Sequence, residues 1–315
     1  HTSRKGGVKM FAHQVIEDLE HNHRNMIINT KDNKKYREVV AVFMAAHAST
    51  INNIRKAQHF YLGEQDNLLS GSVARSMEGR VLFGENVRMP YKISTFSTHH
   101  SNDKLTPEDV AAASSHPDRL ILASTKRFSV VTEMDDHLMI FLVSYLKEMA
   151  VKNNNHGWML QSCCYHVSDN RLRVIPLMMA AAKGPEEWID EDRGDLSVLY
   201  QSLMLLNCKN IVTEKIPAPE ALNKKRRKAG KQELFDYHVL NVVVPSKKRG
   251  YQETTEPLSH NRVHLCRGHF KEYTAEHPLF GHYTGLYWWQ PHVRGQNKDG
   301  VVMKDYNIKA ERSTP

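Results

Sequence analysis

His264, Arg267, His269 and Tyr273 lie close together in the sequence, and Trp288, His292 and Arg294 follow shortly after. These are side chains that shuttle protons near neutral pH, pair with phosphate and stack on bases. Together they suit cleavage of RNA without a metal. One imidazole takes the proton of the 2′-hydroxyl, a guanidinium stabilises the charge on phosphorus, and a second imidazole protonates the leaving 5′ oxygen. Each positioned acid or base contributes roughly 10²–10⁴-fold. His269 and His292 are the expected acid–base pair, with His264 beside them. Arg267 and Arg294 are expected on the phosphate, and Tyr273 and Trp288 against a base. Glu272 and Asp305 are nearby carboxylates. The competing reading is structural, because strand histidines are often half-buried and arginines beside aromatics often only pack.

Two strands are expected to carry this cluster, Val263 to Tyr273 and Gly285 to Arg294. Alternation puts Trp288, Gln290, His292 and Arg294 on one face of the later strand. In the earlier strand it puts His264, Cys266 and Phe270 on one face and Arg267 and His269 on the other. A bulge at Gly268 would shift that parity and bring His269 onto the face of His264. Zinc is the alternative chemistry. His264 and His269 fit an H-x3–5-H unit, but no C-x2–4-C pair partners them, and Cys163, Cys164 and His166 form no such unit either. Neither metal nor cofactor is expected.

Charge locates the same region. From Ala221 to Pro315 there are 17 Lys/Arg and 9 Asp/Glu, which leaves +8, while the remaining residues hold 26 of each sign. A localised basic field attracts polyanions. Its densest parts are Lys224, Lys225, Arg226, Arg227 and Lys228, with Lys231 beyond, and Lys247, Lys248 and Arg249. A solvated helix face is the default for such a run. Phosphate contact is the functional reading, with strong salt dependence. The expected partner is nucleic acid, RNA favoured, or an acidic host protein.

The elements behind these residues read as an α+β chain. Apolar residues at helical spacing from Phe11 to Leu19 and from Tyr36 to Ile54 predict helices over the first 60 residues. Short β-rich runs at Ile93, Leu120, Phe128 and Trp158 to Tyr165 predict strands, with a turn at Ser168-Asp169-Asn170 and a return through Leu172 to Leu177. Leu138 to Met149 admits some helix, and Thr106-Pro107 reads as a helix start. Asp195 to Leu206 and Pro217 to Ala229 predict two helices, the second closed by Gly230. Four strand-like runs follow, from Tyr237, Val263, Gly285 and Gly300. The expected organisation is a helical region over 1–80, an antiparallel α+β domain over 81–184, and a basic module over 192–309 with two helices and a four-stranded antiparallel sheet. The acidic stretch Gly184 to Asp192 is the expected boundary. No apolar run reaches the roughly 20 residues that span a bilayer. His1 to Lys9 is basic without the apolar block of a signal peptide. Four cysteines without C-x-x-C spacing fit a reduced, cytoplasmic setting.

The pattern H-x-x-R-G-H-F-x-x-Y, followed by W-W-x-x-H-V-R-G and Lys304-Asp305-Tyr306, resembles a set of uncharacterised proteins from bacteriophages and mobile elements. The resemblance extends upstream through Leu206-Asn207, Leu222 to Arg226, Tyr237 to Leu240 and Val87 to Tyr91. It implies an origin in a bacterial host and no particular activity. The order of two helices and four strands is similar to RelE-type toxins and the wider class of barnase, EndoU and the tRNase colicins. That likeness implies metal-independent endoribonuclease activity, by topology alone. The long Val244 to Asn261 connection and the 190 residues before the module have no counterpart in the small toxins.

Overall fold

The computed structural model describes residues 11–31, 33–64, 89–99, 126–146, 150, 156–168, 171–177, 185–243, 245, 264–266, 269–289 and 292–294. The chain divides into two compact units, His1–Val243 and Val244–Pro315.

The first unit opens with α1 (Ala12–Thr30) and α2 (Lys34–Lys56). Val15, Ile16 and Leu19 supply the buried stripe of α1, and Phe43, His47, Ile51 and Ile54 that of α2. Asn33 caps α2 by accepting from the Tyr36 amide at 2.9 Å, satisfying a donor that has no partner within the helix. There follow β1 (Gln58–Glu64), β2 (Ile93–His99), β3 (Lys126–Glu133), β4 (Leu138–Tyr145), β5 (Trp158–Ser168) and β6 (Arg171–Pro176). After them come α3 (Pro185–Leu206), β7 (Ile211–Ile216), α4 (Glu220–Lys228) and β8 (Tyr237–Val242). The fold is α+β, as the sequence indicates.

All eight strands form one sheet in the order β6-β5-β4-β3-β2-β1-β8-β7. β1 runs parallel to β2 and to β8, and the remaining pairs are antiparallel. One face carries the core of α1, α2, Phe128, Val130, Phe141, Val143, Trp158 and Leu160. The other carries Phe60, Phe96, Val131, Ile140, Leu142, Tyr165 and the Leu196, Leu199 and Leu203 stripe of α3. Strands covered on both faces read as unbroken apolar runs. This is why Leu138–Tyr145, read above as partly helical, is strand β4. Among the described residues no helix is long and apolar enough to cross a membrane.

The expected three-part division gives way here. β1, from the first part, pairs with β2 of the second and β8 of the third. A single sheet cannot be cut between its hydrogen-bonded strands, and the chain divides instead between Val243 and Val244. The acidic stretch read as a boundary is the opening of α3, and β7 is a strand that the sequence reading left out. The expected Gly300 strand and the Thr106-Pro107 helix start lie outside the described residues.

The second unit contains β9 (His264–Cys266), β10 (His269–Tyr273), β11 (Gly285–Trp289) and β12 (His292–Arg294). β10 pairs antiparallel with β11, and β9 with β12.

Candidate functional site

Register decides which of the expected catalytic residues meet. His269 lies opposite Trp289, and Tyr273 opposite Gly285. Cys266 lies opposite His292, and His264 opposite Arg294. The bulge expected at Gly268, on which the meeting of His269 with His292 depends, lies outside the described residues, as do Gly268 and Arg267 themselves. His264 and Arg294 share one rung of the β9–β12 ladder, and Cys266 and His292 share the next but one.

The rest of the hairpin packs. Trp288, expected to stack on a base, is 7% exposed and sits against Phe270 at 4.6 Å between ring centroids. Tyr273 is half-buried, meets Tyr287 edge-on, and has the Lys271 ammonium 4.8 Å above its ring. His269 is exposed. The β10–β11 connection turns through Phe280 and Gly281, both at positive φ.

The basic helix α4 divides into two kinds of cation. Arg226 is structural: its Nη2 pairs with Glu17 of α1 at 2.6 Å, and its Nε donates to the Gln232 carbonyl at 2.6 Å. Arg227 is held by Glu220 at 2.6 Å and Glu233 at 2.7 Å. Lys224, Lys225, Lys228 and Lys231 are exposed and make no ion pair among the described residues. Gly230 closes the helix at φ +64, a conformation that side chains with a Cβ adopt at a cost. Lys247, Lys248 and Arg249 lie outside the described residues.

Cys163 and Cys164 do not converge on a metal. As neighbours in β5 they belong to the cores on opposite faces of the sheet. Burial pushes their thiols up to about 12 and about 11, away from the thiolate that zinc needs.

Among the described residues, a polar arrangement joins α1 to the start of β5. Asp18, buried on α1, accepts at Oδ2 from the backbone amides of Gly157 and Trp158, both at 2.9 Å. Its Oδ1 meets His156 Nδ1 at 2.7 Å. Asn22, one turn on, donates to the Trp158 carbonyl at 3.1 Å. His21 stacks on His156 with centroids 4.1 Å apart and an interplanar angle of 13°. Burial, and then the neighbouring His156, lower the pKa of His21. Gly157 has to be glycine, because a Cβ there would lie 2.6 Å from Tyr145 Cε2 and 2.9 Å from the Ala150 Cβ. Beyond Tyr145, the Lys126 ammonium stands 4.5 Å from its ring centroid and 5.5 Å from that of Phe11. Tyr61 and His99 are joined at 2.9 Å at the end of β1 and β2. The strand directions put Tyr61, His99, Lys126, Tyr145 and His156 at one end of the sheet.

Sequence reasoning missed this arrangement. Asp18, His21, Asn22 and Asn25 at i, i+3, i+4 and i+7 form a polar stripe on an otherwise amphipathic helix, which was a usable signal. Their partner stands 138 positions away, and nothing local announces it.

On the α3 side of the sheet, Gln161, Cys163 and Tyr165 of β5 face Asp192. The Asp192 Oδ2 accepts from the Tyr165 hydroxyl and lies 3.7 Å from Cys163 Sγ, while Oδ1 has no partner among the described residues. Arg127 pairs with Asp195 beside a small cleft also lined by Thr98, Ser129 and Val198.

Comparison with protein-family models, curated proteins and solved structures finds no match for this chain.

Proposed function

We propose that this chain acts on nucleic acid in the cytoplasm of a bacterial host, RNA before DNA, and that its second unit cuts the strand without a metal. The observation that carries the reading is the ladder register, which sets His264 opposite Arg294 and His292 two rungs away opposite Cys266. Directly opposed residues in an antiparallel pair have Cβ atoms about 4.5–5.5 Å apart, and diagonal neighbours about 7–8 Å. Two imidazoles and a guanidinium at that spacing can flank one phosphodiester. In the proposed reaction one imidazole accepts the 2′-hydroxyl proton and the 2′ oxygen bonds to phosphorus. The bond from phosphorus to the 5′ oxygen breaks, and the second imidazole protonates that oxygen. The products are a 2′,3′-cyclic phosphate and a 5′-hydroxyl. The pair in this scheme is His264 and His292, with Arg294 on the phosphate; His269 stands outside it.

A second reading, binding of nucleic acid or of an acidic host protein without cleavage, is favoured by Lys224, Lys225, Lys228 and Lys231, which stand exposed on and just beyond α4. End-labelled RNA incubated in EDTA separates the two. Cleavage by wild type that is lost in both His264→Ala and His292→Ala supports the first. Intact RNA with a salt-sensitive mobility shift, weakened when the four lysines are changed to alanine, supports the second. Cleavage that survives both histidine substitutions refutes the assignment of the pair.

A further inference from the structure

We propose that the tip of the α1–α2 helical pair, where Ile27 and Ile28 stand among Arg24, Lys31, Lys34 and Lys35, docks reversibly on an anionic lipid bilayer. The proposal does not depend on the reading of the second unit. From Arg24 to Glu38 every described residue is exposed except Met26 and Thr30, so both helix ends run clear of the core. Ile28 is 60% exposed and Ile27 40%, with Tyr36 at 36%. Isolated apolar side chains on a surface are ordinary, but two side by side inside a rim of charge have the pattern of an interaction surface. Arg24 lies three and four positions before the isoleucines, and Lys31 four and three after them, so all four share one face of the helix. Lys31, the C-cap, keeps helical angles at φ −55 and ψ −48. Lys34, Lys35 and Tyr36 belong to the same tip, because Arg37 donates to the Thr30 and Lys31 carbonyls at 2.9 and 3.3 Å.

The chemistry of the tip selects its occupant. Arg24, Lys31, Lys34 and Lys35 are exposed and make no ion pair among the described residues. From Arg24 to Glu38 the sequence holds five Lys/Arg and two Asp/Glu, so the partner is anionic. Single-stranded nucleic acid is met by planar rings on which bases stack, whereas the two most exposed apolar groups here are aliphatic. A stable protein interface needs about 800 Å² on each side, which the end of two helices does not offer. A fluid bilayer accepts a projecting tip without shape complementarity. The isoleucines enter the boundary between headgroups and acyl chains, Tyr36 sits at headgroup level, and the four cations face the anionic lipids. Docked in this way the helices lie at the bilayer surface and need no segment long enough to cross it.

The full chain is sedimented with vesicles of phosphatidylcholine, alone or with about 30% phosphatidylglycerol. The expected result is binding to the anionic vesicles, half-complete at on the order of 0.1 mM accessible lipid, the strength of a single myristoyl chain. Ile27→Ser combined with Ile28→Ser should weaken it at least about tenfold. Lys34→Gln combined with Lys35→Gln should weaken it roughly 25-fold at low salt. All four side chains are exposed, and circular dichroism confirms that each variant is folded. No binding of the wild type to anionic vesicles overturns the proposal, as does equal binding to vesicles of phosphatidylcholine alone. Vesicle binding that is unchanged by the isoleucine substitutions also overturns it, since that is the charge attraction of any basic protein. An affinity for labelled RNA that falls as far as the vesicle affinity in the isoleucine variant overturns it in favour of a nucleic-acid surface.

Discussion

Replacing Asp192 by asparagine should stabilise this protein above about pH 6 and leave it nearly unchanged near pH 4. Asp192 is 1% exposed, between α3 and β5. Burial is the main cause that raises its carboxyl to about 6 from an ordinary 3.8. The nearby Asp195 adds to the rise, and contacts from Tyr165, Cys163 and Gln161 oppose it. In the unfolded chain the proton leaves near 3.8, while in the folded protein it leaves near 6. Between these values the folded state holds more protons, so stability falls as pH rises through the window and stays reduced above it. At ~1.4 kcal/mol per pH unit, the separation corresponds to a cost of about 3 kcal/mol at neutral pH. Asparagine keeps the shape and an oxygen to accept from the Tyr165 hydroxyl, and it has no charge to bury. Its amide can donate towards Gln161, whose Oε1 is buried without a partner among the described residues, as a protonated Asp192 would.

The wild-type profile alone does not isolate this effect, because buried histidines act in the opposite direction. His47 and His59 are 0% and 4% exposed, and desolvation by burial, the largest cause in each case, lowers both to about 4 from 6.5. Each therefore withdraws stability as pH falls from about 6.5 to about 4, by roughly 3 kcal/mol. Two such groups outweigh one carboxyl, and the wild type should weaken on acidification. The informative quantity is the difference between Asp192→Asn and wild type in urea unfolding, followed by tryptophan fluorescence at several pH values from about 4 to about 8. A gain that appears only above the window supports the buried, strained carboxylate. A difference of the same size at every pH, or a loss of stability at pH 8, refutes it.

Other substitutions test other contacts. Gly157→Ala forces a Cβ to 2.6 Å from the Tyr145 ring, and should lower stability by about 1–3 kcal/mol in thermal or urea unfolding. Asp18→Ala strands the Gly157 and Trp158 amides and should cost about 2–5 kcal/mol, more than Asn22→Ala, which removes one bond to a carbonyl. Arg226→Met, losing Glu17 and the Gln232 carbonyl, should destabilise by about 1–3 kcal/mol. Lys228→Ala, on the exposed side of the same helix, should move stability by no more than about 0.5 kcal/mol. If it contacts phosphate, the slope of log affinity against log salt for RNA should fall by about 0.7–0.9.

What the sequence revealed followed the range of each signal. The α1 and α2 stripes, the β5–β6 return and the β10–β11 hairpin are local patterns, and the periodicity of side chains shows them directly. β4 was ambiguous because Leu138–Tyr145 is apolar throughout, and an unbroken apolar run has neither the period of a strand nor that of a helix. The pairing of β1 with β8 joins Phe60 to His238, and no local pattern announces a partner that far along the chain. The same distance hid the Asp18–His156 contact. In α4 the run of five cations was plain, but its division was not. Arg226 and Arg227 point into acids supplied by α1, by the first turn of α4 and by the segment after it. Only the lysines match the solvated, phosphate-ready face that the charge count suggested.

Histidine abundance first drew attention to the hairpin, yet in this chain histidine is used in two physically distinct ways. His47 and His59 are core residues, packed against Phe43 and Phe235 and held neutral by burial. A ring whose protonation is pushed to about 4 cannot exchange protons near neutrality, however many such rings a sequence contains. His156 is placed differently, with Nδ1 held by a buried carboxylate and its side chain partly exposed. What separates the two uses is orientation and exposure. The hairpin histidines have to meet that same criterion. His264 lies opposite Arg294 across the ladder, whereas His269, which only a bulge would recruit, lies across from Trp289. Register, more than composition, therefore selects the residues worth mutating first.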